Sequence, residues 1–173
     1  DQTEITNEMY SKCVTVGVCN SPNKSSSSRD SYYDNAEYDD YPVMHVSWHD
    51  ANEYCSWAGR RLPTEAEWEK VARGADGHIY PWGDLVNESY ANYNGNVGDT
   101  SAVGKYEKGA SFYGAYDMVG NLWEWVADWY DSDYYPNSLL SNPLGPDIGN
   151  TKVLRGGSWD SSPYGVNDLR ASN

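Results

Sequence analysis

The sequence predicts an α+β domain in which helices come first and an irregular, loop-rich half built on short strands follows. A length of 173 residues is typical of one domain, here residues 1–173, and is enough to bury a substantial core. Two stretches in the first half carry complete helix-capping signals, whereas Gly, Asn, Asp, Tyr and Trp dominate after Gly74. A regular sheet cannot fix so much coil, so we expect bound ions and buried tryptophans to hold it.

The first elements are a short helix, a loop and an apolar run. The stretch "TNEMYSKCVTVG" predicts a short helix that Thr6 caps and Gly17 ends. Residues 20–41 are rich in Ser, Asn, Asp and Tyr, which predicts a long surface loop. The apolar run "YPVMHVSW" that follows predicts a short strand, or a strand-like entry into the next helix.

Two further helices are marked by the same device. Ser47 with Asp50, and Thr64 with Glu67, stand at the spacing of a capping box, and a glycine ends each helical pattern. Trp68 and its neighbours give the second of these helices an apolar face. Both helices are therefore predicted to pack on the remainder of the domain.

The second half contains short strands bounded by turns. The segment "LWEWVADW" alternates between two faces, as a strand does, and "VLRGGSW" is a second short segment of this kind. We expect Arg155 and Arg170 to pair with buried carboxylates and so fix the loops around them. The tryptophans expected in the core of this half are Trp123, Trp125, Trp129 and Trp159.

The charge and hydropathy of the chain exclude some partners. A formal net charge of −14 repels phosphate backbones, so we expect no nucleic-acid binding. No apolar run approaches the roughly 20 residues that span a bilayer. The expected partner is an unknown protein or small-molecule ligand, and the oligomeric state stays open. Since the chain starts inside "DQTEITNEMY" and stops as abruptly, we expect it to be an excised piece, truncated at both ends.

Three cysteines bear on compartment and chemistry. Cys13 and Cys19 would form a disulfide in an exported protein, and an extracellular or cell-surface location is the one we favour. Cys55 lies in a helical pattern and is expected to be a buried apolar residue. No CxxC pair or Cys/His cluster predicts a zinc site.

Four segments, taken in order, carry a family resemblance. "RRLPTEAEWEKVARG", "YPWGD", "DMVGNLWEWVADWYD" and "VLRGGSW" resemble the formylglycine-generating enzyme-like domain, also called the sulfatase-modifying factor domain. The resemblance covers essentially the whole chain. It implies a C-type lectin-like fold of that type, with two helices, a small twisted antiparallel sheet and much irregular loop.

The resemblance implies three functional types. One oxidises a cysteine of a nascent sulfatase with copper that two cysteines hold, a second forms sulfoxides with a separate iron-binding domain, and a third binds or displays ligands. Laid on this chain, the two copper cysteines fall on Ser161 and Val166, and no cysteine follows Cys55. Copper(I) prefers soft thiolates over hydroxyls, so we expect no copper and lean against an oxidase.

The expected function is therefore ligand binding by a non-catalytic display domain. Some display members are variable proteins of diversity-generating retroelements, whose segment after "RGGSW" is rewritten at adenines, and residues 155–173 are the candidate variable segment. Small polar residues with Tyr are typical of adaptable binding surfaces. The predicted contacts are Asp160, Ser161, Ser162, Tyr164, Gly165, Val166, Asn167 and Asp168, with Tyr113, Tyr116 and Tyr130 as further candidates.

Calcium is the expected cofactor, in a structural role. In "YDMVGNLWEW", Asp117 and Glu124 offer carboxylates and Gly120 and Leu122 offer carbonyls, a set of hard oxygens that calcium favours. Family members bind calcium at the matching positions. The alternative is that Asp117 and Asn121 only cap turns.

A second calcium position is implied at "ANYNGNVGD". The resemblance assigns it to Asn92, Tyr93, Asn96 and Gly98, and Asp99 competes for the carboxylate role.

Two alternatives to the display domain stay open. One is a divergent oxidase or related enzyme that acts on a sulfatase-type or small thiol substrate. The other is a structural module of a larger bacterial protein.

Overall fold

Helices fill the first half of the chain and a small sheet lies in the second. The computed structural model describes residues 1–22, 28–29, 31–85, 87–162 and 169–171. Within these residues a two-stranded antiparallel sheet and several single 3₁₀ turns accompany three helices. The elements are α1 (Asn7–Thr15), α2 (Trp48–Trp57), α3 (Glu65–Arg73), β1 (Glu124–Trp129) and β2 (Lys152–Arg155).

The helix starts are those that the sequence predicts. The Thr6 side chain accepts a hydrogen bond from the backbone N–H of Met9 at the start of α1. Both capping boxes form: Ser47 exchanges hydrogen bonds with Asp50, and Thr64 with Glu67. These caps satisfy N–H groups that the first helical turn leaves without partners, which is why the local signals are decisive here.

Of the two alternatives for "YPVMHVSW", the short strand is wrong and the strand-like entry into α2 is confirmed. The chain makes only an isolated bridge there, between Thr6 and Pro42, and the Val43 N–H donates to the Ile5 carbonyl at 2.9 Å. His45 takes a left-handed conformation with φ 57° and turns the chain towards α2. Val43 is buried nonetheless, so the apolar run reflects burial and not strand pairing.

The sheet joins the end of the chain to its middle. Glu124 pairs with Arg155 and Trp129 with Lys152, with an irregularity in register between them. The Lys152 ammonium lies between the rings of Trp48 and Trp129, 4.0 and 3.9 Å from their centroids, and donates to the Ala127 carbonyl at 2.7 Å. This stacking fixes the far end of the hairpin on the start of α2.

The prediction that four tryptophans lie in the core is wrong, because each is only half-buried. The Trp125 indole donates to the Val46 carbonyl at 3.1 Å, and the half-buried Trp48 indole donates to the Val126 carbonyl at 2.8 Å. The polar edge of these rings thus bonds to backbone while the apolar body covers the sheet. The four are Trp123, Trp125, Trp129 and Trp159.

Arg155 is buried in the core that α3 forms with the two strands. Its guanidinium lies 3.5 Å from carboxylate oxygens of Glu65 and Glu69, covers the Trp68 ring, and donates to the Ala171 carbonyl at 2.6 Å. The prediction for Arg155 is confirmed, whereas Arg170 is exposed. The buried arginine therefore ties α3 and β2 to Ala171, near the end of the candidate variable segment 155–173.

The first-half loops are partly packed. Cys13 and Cys19 form a disulfide and both are buried. Tyr32, inside the predicted surface loop, is buried and donates to the Pro42 carbonyl at 2.8 Å, so that loop is more tightly held than its composition predicts. Cys55 is only half-buried, contrary to prediction, because it faces a cavity of about 550 Å³.

None of the helices in the described part of the chain is long and apolar enough to cross a membrane.

The Thr64 cap gives a direct test of how α3 is held. Replacing Thr64 with Ala removes the hydroxyl that accepts from the Glu67 N–H, so we expect the free energy of unfolding to fall by about 1 kcal/mol. Urea denaturation monitored by circular dichroism measures this. Thr151→Ala is the matched control, because Thr151 is exposed, and a change of less than about 0.5 kcal/mol is expected there. Equal effects of the two variants would contradict the capping role.

Candidate recognition loops and calcium positions

Three loops meet where β2 ends and β1 begins. Residues 91–104 and 116–124 are the two candidate calcium loops, and residues 156–162 are called the recognition segment. The residue at the centre of the three is Asn121, which has no solvent exposure. Asn121 has φ 57°, a left-handed conformation that Asn tolerates better than most residues. Beside it, a side chain on Gly120 would overlap the Asn92 carbonyl, and φ 76° there also demands glycine.

Asn121 uses both its backbone and its side chain to hold these loops. Its N–H donates to the Asn92 carbonyl at 2.7 Å, and its carbonyl accepts from the Trp159 N–H at 3.0 Å. Its side-chain oxygen accepts from the Ser101 N–H at 2.8 Å and from the Asn92 amide at 3.2 Å. Its side-chain nitrogen donates to Glu4 at 2.7 Å. One residue therefore joins both candidate calcium loops, the recognition segment and the N-terminal segment.

The start of the recognition segment is fixed through its main chain. The N–H groups of Asn94 and Gly95 donate to the carbonyls of Ser161 and Trp159, at 3.0 and 2.8 Å. Asn94 and Gly95 both have positive φ, as in the tight Asn-Gly turn. The Ser161 hydroxyl accepts from the Ser158 N–H at 3.0 Å. Two of these three bonds use main-chain atoms alone, whereas the third depends on the side chain of Ser161.

The described ligand-contact candidates differ in exposure. Asp160 is exposed and accepts from the Ser158 hydroxyl at 2.6 Å, Ser162 is half-buried, and Ser161 is only 9% exposed. Asp160 is therefore the side chain best placed to meet a ligand. The remaining candidates lie outside the described residues; they are Tyr164, Gly165, Val166, Asn167 and Asp168.

The three candidate tyrosines lie at different places in the fold. Tyr130 follows β1, and its N–H donates to the Thr151 carbonyl, at the end of the sheet opposite to Asn121. Six strand residues at roughly 3.3 Å each separate the two ends, so Tyr130 lies at a distance from Asn121, and its place in the same groove stays a prediction. Tyr113 is half-exposed beside Phe112, and Tyr116 is partly buried.

At the first calcium position, the turn 117–124 carries two carboxylates, of which Asp117 is buried and Glu124 is half-buried. Asp117 is 8% exposed, and burial raises the pKa of its carboxyl. Burial, with the nearby charge of Asp117, raises the pKa of Glu124 from 4.5 to about 7. Asp117 accepts from the Gly104 N–H at 2.6 Å, a distant loop, so it does more than cap its own turn. Buried carboxylates demand a counter-charge, and the carbonyls of Gly120 and Leu122 fit a calcium ligand set.

The second calcium position is less complete. The Asn92 side-chain oxygen is buried without a hydrogen-bond partner, as a vacant ligand would be, and the Tyr93 carbonyl accepts from the Asn96 N–H at 3.1 Å. Asn96 and Gly98, however, lie on the exposed part of the loop. The competing Asp99 is buried, with its carboxylate 3.5 Å from the Arg29 guanidinium.

Metal centres built mainly from charged side chains are absent from the described ranges: no three His, Cys, Asp or Glu side chains there are grouped to hold a metal. A calcium site in these loops would rest on two carboxylates plus carbonyls, which is the set the sequence predicts.

Two residues of this region were missed by sequence reasoning. Glu4 is 8% exposed and bonds to Asn121, yet it precedes α1 in a segment with no motif to mark it. Arg29 lies in a Ser-rich stretch typical of solvent-exposed loop, yet its guanidinium donates to the Thr100 carbonyl at 2.7 Å. Only long-range contacts reveal either role.

Comparison with known proteins decides the family. A profile of the sulfatase-modifying factor enzyme 1-like domain matches residues 1–172. The chain belongs to this family. Its C-type lectin-like, α+β architecture agrees with two solved structures at TM-scores of 0.75 and 0.73, Treponema denticola variable protein 1 and PvdO from Pseudomonas aeruginosa. At 24% and 22% identity, covering 98% of this chain and 75% and 71% of theirs, these matches show the fold alone.

Relatives of known name fall into several classes. The chain is 44% identical over 139 residues to the serine/threonine-protein kinase Pkn1 of Chlamydia trachomatis, covering 79% of this chain and 22% of the kinase. It is 42% identical over 133 residues to the formylglycine-generating enzyme of Bos taurus, covering 69% and 35%. It is 40% identical over 141 residues to the inactive C-alpha-formylglycine-generating enzyme 2 of Mus musculus, covering 75% and 41%. The chain thus spans well under half the length of these relatives.

The raised pKa of Glu124 predicts that the stability of the metal-free protein, measured in the presence of EDTA, depends on pH. Between 4.5 and about 7 the folded protein holds a proton that the unfolded chain has lost, so stability falls as pH rises through this window. We expect the melting temperature in EDTA to fall from pH 5 to pH 7. Glu124→Gln should make this slope shallower, and the raised pKa values of Glu4 and Asp117 account for the part that remains. Glu8→Gln, at an exposed ion pair, should leave the slope unchanged. A slope as steep in Glu124→Gln as in the unmodified chain would assign it to the other groups.

Proposed function

We propose that this domain binds a ligand through the surface that begins at Asp160, is stabilised by calcium, and does not carry out copper-dependent cysteine oxidation. The observation that carries the proposal is the state of Ser161. It stands where the resemblance puts the first copper cysteine, and its hydroxyl is bonded to Ser158. A copper ligand is thereby replaced by a buried structural contact.

The cysteines of the chain support this proposal. Cys13 and Cys19 are joined to each other, and Cys55 lies on α2, packed beside the Tyr54 cluster. The sequence has three cysteines, and none follows Cys55. Copper(I) held by a thiolate pair at Ser161 and Val166 would need ligands that the chain does not supply.

Calcium would act as a structural clamp on the loop end. Asp117 and Glu124 would hold it with the carbonyls of Gly120 and Leu122, and the ion would neutralise both carboxylates. Since Asn121 lies between these carbonyl donors and accepts the Trp159 N–H, the ion would stiffen the loop that presents Asp160. An extracellular or cell-surface location, with ample calcium and a stable Cys13–Cys19 disulfide, suits this role.

Diversification of residues 155–173 by a retroelement is the finer form of the proposal. What favours it is the fixing of Trp159 and Ser161 through main-chain bonds, since such a backbone tolerates side-chain changes at neighbouring positions, although the buried Ser161 hydroxyl itself bonds to Ser158. Sequencing of the native locus decides it. A nearby imperfect repeat that differs only at adenines, beside a reverse transcriptase gene, supports it, and the absence of both removes it.

A second candidate function is that of a module in a larger protein. It is favoured by the Pkn1 match, in which 79% of this chain corresponds to 22% of the kinase. A recognition domain attached to a kinase would bring ligand binding to that protein, so the two candidates are compatible.

Ligand recognition is tested by panning a random-peptide phage library on the purified domain. We expect enriched peptides to lose binding to Asp160→Lys, because that change reverses the charge of an exposed side chain in the segment. Asp76→Lys, which reverses an exposed charge after α3, should retain binding. If the enriched peptides bind Asp160→Lys as well as they bind Asp76→Lys and the unmodified domain, recognition lies on another surface. Formylglycine production from a cysteine-containing sulfatase-type peptide with copper(I) and oxygen would overturn the non-catalytic reading.

Calcium binding is tested through three amides. The N–H groups of Asn94, Gly95 and Trp159 all make loop-to-loop bonds, so we expect calcium to slow their hydrogen exchange and to raise the melting temperature. At a calcium concentration of 100 times Kd the added stability is about 2.7 kcal/mol. Asp117→Asn should abolish both effects, and magnesium at the same concentration is the ionic control. Unchanged melting and exchange in calcium would remove the metal from the proposal.

A further inference from the structure

Glu4 is a buried carboxylate that no sequence motif predicts. It lies before α1, is 8% exposed, and one of its carboxylate oxygens has no hydrogen-bond partner. The other oxygen accepts from the Asn121 side-chain amide at 2.7 Å, across 117 residues of sequence. Removing a carboxylate oxygen from water costs free energy, and no hydrogen bond offsets that cost when the buried oxygen has no donor.

Two other carboxylates act on Glu4. Burial raises its pKa well above the usual value, the charges of Asp117 and Glu124 act in the same direction, and hydrogen bonds from the Asn121 side chain and from the backbone of the next residue act against them. Glu4 and Glu124 also line the same cavity, together with Arg60 and Arg61. Glu4 and Asp117 are buried and Glu124 is half-buried, so Glu4 adds a third acidic group near the loop that offers carbonyls to a cation.

We propose that Glu4 supplies the third negative charge of the calcium position at Asp117 and Glu124, and that this charge sets the affinity for the ion. The inference rests on the calcium position proposed above. The number of charged groups around a calcium ion is a main determinant of its affinity. Glu4 acts through its charge and through Asn121, as a positioning residue of the metal loop and not as a member of the predicted ligand set.

A purely structural role for Glu4 makes a different prediction. If Glu4 only accepted the Asn121 amide, a neutral glutamine would serve that bond equally well. Without a positive partner, a carboxyl buried at this site favours its protonated form, whereas a bound calcium ion would favour the charged form. Removing the charge should therefore help the metal-free protein and harm calcium binding at the same time.

The experiment compares Glu4→Gln with the unmodified chain in EDTA and in calcium. We expect Glu4→Gln to melt at a higher temperature in EDTA, because a neutral amide costs less to bury than a carboxyl group that must bind a proton to become neutral. Isothermal titration should show a calcium Kd about tenfold weaker. The matched control is Glu65→Gln, at a buried carboxylate 3.5 Å from the Arg155 guanidinium. It should melt at a lower temperature in EDTA and bind calcium with unchanged affinity.

The outcomes separate the two proposals. Failure of the unmodified chain to bind calcium removes the calcium position itself, and the role of Glu4 falls with it. Calcium binding that is equally tight in Glu4→Gln leaves the calcium position standing and overturns the role of Glu4. If Glu4→Gln does not fold, Glu4→Met, which is neutral and apolar beside the cavity, replaces it with the same expected loss of affinity.

Discussion

The hydrogen bonds of Asn121 are the interaction on which the loop-rich half of this domain depends. A two-stranded sheet cannot organise loops as long as 91–104 and 156–162, because it offers few backbone partners. Asn121 supplies that organisation with its side-chain amide, its backbone N–H and its backbone carbonyl. Together these groups bond to Asn92, Ser101, Trp159 and Glu4. A buried polar network of this kind specifies a single arrangement, since any other leaves donors and acceptors unpaired.

The electrostatics of the loops follow from the same arrangement. Folding brings Asp117, Glu124 and Glu4 near one another. The raised pKa values of their three carboxyl groups reflect the cost of keeping them charged. Elsewhere the fold meets such a cost with arginine: Arg155 faces Glu65 and Glu69, and Arg29 faces Asp99. The contrast explains why calcium is proposed at the first group of carboxylates and why the second position, close to Arg29, is less complete.

Sequence reasoning succeeded where the determinants are local. The caps at Thr6, Ser47 and Thr64 act within one helical turn, and the family motifs fixed the fold. It failed where long-range packing decides: "YPVMHVSW" is buried without a strand partner, and the tryptophans of the second half cover the sheet without entering the core. In the candidate site, Asp117 and Glu124 were found from ligand chemistry, whereas Glu4 is brought to them by a contact across 117 residues.

The Asn94-Gly95 turn has a consequence for how this domain can change over generations. Its two N–H groups reach the carbonyls of Trp159 and Ser161, and those bonds depend on where the turn falls and not on which side chains surround it. A substitution at an exposed position of either loop leaves the pairing intact, provided that the left-handed turn and the side-chain bonds of Asn92 and Ser161 survive. An insertion or deletion of one residue between Asn92 and Asn96 shifts both amides away from their acceptors. We therefore expect the length of these loops to be preserved over generations more strictly than their composition.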